Sequence, residues 1–215
     1  MANEGPGERV GKRVGERVGE GVRARRRAET RSALVREARA LFAARGYGAV
    51  GLAEVVRAAG VTKGALYHHF DSKAALFRAV LEQVQREVGE RVAERAEEQS
   101  GVWGQLTAGC AAFLDASADP EVQRVMLVDG PAVLGWNEWR ALDEATSARH
   151  LSEALAGAIE AGEIPRQPVA PLTRLLSGAM NETALWLASS GRPEDLRDAR
   201  AALARLLEGL RSSEE

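Results

Sequence analysis

Apolar positions recur along this chain at helical spacing, and no stretch sustains the alternation of a strand. Leu34, Ala38, Leu41 and Phe42 fall at i, i+4, i+7 and i+8, which predicts a helix of about 20 residues closed by Gly46. Leu52, Val55, Val56 and Ala59 make a second, shorter apolar face that stops at Gly60. A third segment opens at Thr62 with Leu66 and Phe70 four apart. Two brief helices across a tight glycine turn are what a helix-turn-helix requires, because the second must leave the first steeply. Asp71 and Ser72 then cap a long helix whose stripe Leu76, Val80, Val84 and Val88 runs on to about Gln99.

Beyond Gly101 the same period predicts helices over 102–116, 120–128, 136–161, 169–189 and 193–210. They are separated by stop and start signals at Asp119-Pro120, Gly130-Pro131, 162–168 and Gly191-Arg192-Pro193. The expected fold is therefore all-α, with about nine helices. Three parts follow: a mostly disordered arm over 1–24, a helix-turn-helix domain over 25–72 and a helical body over 73–211. The arm is assigned from its degenerate repeat GERV, GKRV, GERV, GEGV, in which a glycine every fourth residue costs about 1 kcal/mol each in a helix.

Composition sharpens this division. Hydrophobic residues make up 45% and charged residues 28%, the balance of a folded chain. No run approaches the roughly 18 apolar residues that span a bilayer, and Cys110 is the sole cysteine, so a soluble protein of the reducing cytoplasm is expected, with no disulfide framework. The net charge of −2 conceals an asymmetry. Residues 23–73 carry 11 basic and 4 acidic groups, whereas 74–215 carry 14 and 23. A basic segment beside an acidic remainder is the footprint of a nucleic-acid-binding module on a regulatory body.

The run 46–80, and above all AGVTKGALYHHF (59–70) followed by DSK, resembles the DNA-binding domain of the TetR/AcrR family of transcriptional regulators. With the first helix included, the resemblance covers about 25–80. In the body it is one of layout alone. It implies a homodimer on double-stranded operator DNA, released or engaged by a small molecule.

The residues themselves support the head's role. Thr62 opens the third helix, so its hydroxyl can cap it or contact a phosphate. Lys63, Gly64 and Ala65 occupy the first turn, where a lysine can donate to guanine acceptors and glycine lets the backbone approach the DNA. Tyr67, His68 and His69 place a phenol and two imidazoles on the outer side. The resemblance implies that Tyr67 and Lys73 contact phosphates. Thr30 is a further cap or phosphate contact. Gly51 stands where the family usually has Ser or Thr, so one hydroxyl contact is lost, and Arg57 or Arg25 to Arg27 are candidates to replace it. The adjacent histidines fall on different faces, so no metal site is expected.

All four tryptophans lie in the body. Trp103, Trp136, Trp139 and Trp186, with Phe113, Met126, Asp129, Asn137 and His150, are the candidate lining of a pocket for a small apolar or aromatic effector, or simply core. The resemblance implies that 169–189 and 193–210 form a four-helix interface with a second copy. No Ser/His/Asp or Cys/His set, phosphate loop or metal spacing is present, so no catalytic residue and no cofactor is expected. The favoured function is a repressor released from a near-palindromic operator. A ligand-responsive activator and an architectural DNA-binding protein are the alternatives.

Overall fold

Helix α1 (Pro6–Ala49) supplies the buried row Leu34, Val35, Ala38 and Phe42 that the sequence period predicts. The computed structural model of the chain describes residues 6–190 and 192–211, the side chains of 6–20 and 193 excepted. The helix breaks at Gly46, whose φ of 77° is the left-handed conformation that a side chain would strain. Its other end differs from expectation. The segment expected as a mostly disordered arm is continuous with α1 from Pro6, while residues 1–5 lie outside the described ones. Extending an existing helix needs no new nucleus, and Arg25 and Glu29 pair one turn apart at 2.8 Å. Residues 21–29 are nonetheless exposed and bury nothing. Thr30 consequently sits inside a helix and caps none.

Helices α2 (Leu52–Ala58) and α3 (Lys63–His69) close the head, with Val55, Leu66 and Phe70 turned into a core shared with Phe42 and Phe77. Phe42, Tyr47 and Phe77 form a ring cluster with centroids 5.2 to 5.6 Å apart. Helix α4 (Lys73–Glu97), capped by Ser72 Oγ on the Ala75 N–H, carries the stripe Leu76, Val80, Val84, Val88 and Val92, all buried. Full burial of each such side chain stabilises by about 1.5–3 kcal/mol. Because this stripe runs from the head core to the body core, one helix belongs to both.

The body comprises α5 (Val102–Ser117), α6 (Pro120–Val122), a π-helical segment (Gln123–Asp129), α7 (Gly130–Leu134), α8 (Trp136–Glu144), α9 (Ser147–Glu160), α10 (Val169–Ser190) and α11 (Pro193–Glu208). No strand occurs among the described residues. Two expectations change here. Gly130-Pro131 does not interrupt the chain, because the π-helical segment runs straight into α7. Pro131 lies in the first turn of α7, where a missing N–H is tolerated. In the π register the Met126 carbonyl looks to residue 131, which has no N–H to give. The buried indole of Trp139 donates to that carbonyl instead, at 2.7 Å. Conversely, the helix expected over 136–161 is split at Thr146 (φ −125°, ψ −103°), whose hydroxyl donates to the Leu142 carbonyl at 3.0 Å. Of the turn expected at Gly191-Arg192-Pro193, Gly191 lies outside the described residues.

Candidate nucleic-acid interface and internal cavity

Local sequence aims the third helix outward. Thr62 Oγ1 accepts from the Ala65 N–H at 3.1 Å, fixing the first turn, and Leu66 and Phe70 pin the inner side. Lys63, Gly64, Tyr67 and His68 are exposed, while Ala65 and His69 are half-buried. Lys63 Nζ stands 5.9 Å from the Tyr67 ring, so an amine and a phenol share one face. Burial, then the charges of His68, Arg27 and Arg31, push the His69 imidazole below its usual range, which favours the neutral form. Gly51 starts α2, but its N–H is taken by Glu54 Oε2 at 3.0 Å. That backbone bond, and then Arg45 at 2.7 Å, hold the Glu54 carboxyl below the ordinary range. Lys73 does not point freely outward either. Its Nζ donates to the Tyr47 carbonyl at 2.5 Å and lies 4.0 Å from the centre of that ring. Arg57 is exposed.

Charged contacts fasten the head to the body. Arg39 of α1 bonds Glu87 of α4 at 2.6 Å and also Glu121 of α6. Burial raises the Glu87 carboxyl, but hydrogen bonds from Arg39 and Gln83 outweigh it and hold the group below its usual range. Just past the break in α1, the Tyr47 N–H donates to Asp129 Oδ2 at 2.7 Å, at the end of the π-helical segment. A carboxylate on the body thus satisfies a backbone donor that the break at Gly46 would otherwise orphan.

Between α4, α5, α8, α9 and α10 lies a cavity of about 310 Å³. Leu106, Phe113, Leu151 and Met180 form apolar wall, and Asp143, Ser177 and His150 are polar positions on it. Asp143 is 3% exposed. Its Oδ2 accepts from Arg140 Nη1 at 2.8 Å and lies 3.4 Å from Ser177 Oγ. Burial pushes its carboxyl above the ordinary range, against the pull of Arg140, Ser177 and Asn181. Cys110 also lines the cavity, its thiol pushed up to about 12 by burial, so it is a neutral, unreactive wall.

Residues 34–80 match the family described as bacterial regulatory proteins, tetR family, and residues 103–210 match the Tetracyclin repressor-like C-terminal domain. The chain belongs to the TetR family. A TetR-family transcriptional regulator from Pectobacterium atrosepticum superposes on it with a TM-score of 0.76 at 30% identity, covering 88% of this chain and 98% of that one. The Transposon Tn10 TetC protein of Escherichia coli is 28% identical over 149 residues, 69% of this chain and 75% of its own. The HTH-type transcriptional regulator AcrR of Shigella flexneri is 40% identical over 62 residues, 29% of each chain. The protein is thus a helix-turn-helix transcriptional regulator, all-helical, with a DNA-binding head and a C-terminal domain.

Within this TetR-family body, the candidate pocket residues scatter. Phe113 and His150 line the cavity. Trp139 and Met126 are core, joined through the indole bond, and Asp129 is the latch on Tyr47. Trp136 is 64% exposed, with its ring 5.0 Å from Trp139, and Asn137 is exposed beside it. Trp103 lies under the Arg211 guanidinium at 5.0 Å. Trp186 lines a groove between α10 and α11 with Leu203 and Leu206. Sequence reasoning missed Asp143, Ser177, Cys110 and Met180. An acidic residue and a serine interrupting apolar faces of α8 and α10 were the available signals.

Proposed function

We propose that this regulator is a repressor that grips a near-palindromic operator as a homodimer and lets go when a small molecule with an apolar or aromatic body fills the cavity. The observation that carries the reading is the recognition helix: Lys63, Gly64, Tyr67 and His68 exposed along α3, on a head carrying the chain's positive charge. Lys63 and Gly64 meet base edges, while Tyr67, His68 and Arg57 meet phosphates and set the register. Lys73 reaches a phosphate only by leaving the Tyr47 carbonyl, and the Gly51 N–H only by leaving Glu54.

Leu175, Trp186 and Leu206, at 72%, 47% and 51% exposed, make an apolar face on α10 and α11 that suits a second copy. Two heads on a two-fold axis then read half-sites about one helical turn, or a multiple of it, apart. Helix α4 couples the events. It begins at the end of the recognition motif and contributes Val92 and Ala96 to the cavity. An effector that fits better when α4 has shifted also misplaces the heads. The action is binding rather than turnover, on DNA in the cytoplasm.

The test is a mobility shift of the purified protein on DNA flanking its own gene, beside a Lys63→Ala, Tyr67→Ala variant. Saturable binding to one near-palindromic segment, lost in the variant, is the expected result. Equal weak binding of both proteins to every duplex would sink the assignment.

A further inference from the structure

The cavity has a charge pattern that narrows what can occupy it. Three carboxylates line it, Glu97, Asp143 and Glu153, and no lysine or arginine side chain does. The guanidiniums next to these carboxylates are outside the lining: Arg140 bonds Asp143 and Ser177 Oγ, and Arg149 pairs with Glu153 at 3.1 Å. Behind this lining, the Asn181 amide nitrogen lies 3.5 Å from Ser177 Oγ, and its Oδ1, in a residue only 6% exposed, has no hydrogen-bond partner among the described residues.

An anionic amphiphile entering this space would leave water to face carboxylates, with no lysine or arginine on the wall to receive it and His150, beside Glu153, as the one imidazole. A cation gains from the same field, strengthened by the low polarity of the leucine, phenylalanine and methionine wall. An ammonium also brings N–H donors to the carboxylate oxygens of the wall. We infer that the effector is an organic monocation, its apolar body against Leu106, Phe113 and Met180 and its protonated amine directed to Asp143 and Ser177. This rests on the reading of the cavity as the effector site. A cation beside Asp143 also keeps its carboxylate ionised, opposing the effect of burial.

The experiment is calorimetric titration of the full chain with three probes of one shape and different charge: phenylbutylammonium, phenylbutanol and phenylbutyrate. The ammonium is expected to bind about tenfold or more tightly than the alcohol, and the carboxylate most weakly. Asp143→Asn should remove about tenfold or more of the ammonium affinity and leave the alcohol unchanged. Since that change leaves the half-buried Arg140 without its Asp143 partner, a Glu97→Gln, Glu153→Gln variant at exposed positions gives an independent arm. It should narrow the ratio of ammonium to carboxylate affinity. A ratio unmoved in both variants, or a carboxylate that binds as well as the ammonium, overturns the cation assignment while binding of the alcohol still upholds the cavity. Absence of binding by all three overturns both.

Discussion

Leu66 and Phe70 anchor a recognition helix whose opposite side is bare, whereas the helices around the cavity keep polar groups inside, with Asp143, Ser177 and Asn181 each less than a tenth exposed. The head gives every buried position to apolar side chains and presents its chemistry to solvent. The body adds to its apolar core a carboxylate, a hydroxyl and an amide in a partly satisfied network beside the cavity. A surface that reads a rigid duplex gains from being fixed. On the proposed reading of the cavity as an effector site, polar groups whose partners can be exchanged let it change shape when filled. Between them stands a junction fastened by Arg39 to Glu87 and Glu121, and by Asp129 to Tyr47.

Substitutions on each side of this divide test it. Phe77 is fully buried and touches Phe42 and Tyr47 where the two cores meet. Phe77→Ala should cost about 3–5 kcal/mol in urea unfolding and weaken head and body together. Loss of operator binding with an unchanged body transition would show that the cores are separate. Gly130→Ala strikes the body, one residue from the Asp129 latch. An added Cβ would stand 2.8 Å from Trp139 Cδ1 and 3.2 Å from the Val125 carbonyl. About 1–3 kcal/mol of destabilisation is expected, read as a lower Tm with a red-shifted tryptophan emission. Thr62→Ala removes the cap of α3 and should cost about 1 kcal/mol, felt in operator affinity while probe binding in the cavity stays unchanged.

The head was legible in the sequence because its rules are local. A cap, two apolar anchors four residues apart and a left-handed glycine set α3 and the end of α1, and each lies within a few residues of what it controls. The body resisted for the opposite reason. Trp139 reads as a pocket aromatic until the proline at 131 is seen to orphan a carbonyl that its indole satisfies. Asp129 reads as a pocket residue until Tyr47, 82 residues away, takes its carboxylate. The cavity is made where five helices fail to fill space, a property of their packing that no single helix encodes. The split at Thr146 was hidden because a continuous 3.6-residue period can run through a break when both halves face the same core.

The indole bond at the π-helical segment has an optical consequence. Trp139 is 3% exposed and its N–H is committed to the Met126 carbonyl, three residues before the carboxylate that holds the head. Sliding of that segment must stretch or bend this bond, and indole emission responds to hydrogen bonding and to water. The chain therefore carries its own chromophore at the joint between body and head, beside an exposed neighbour, Trp136, that provides a solvent-facing contrast.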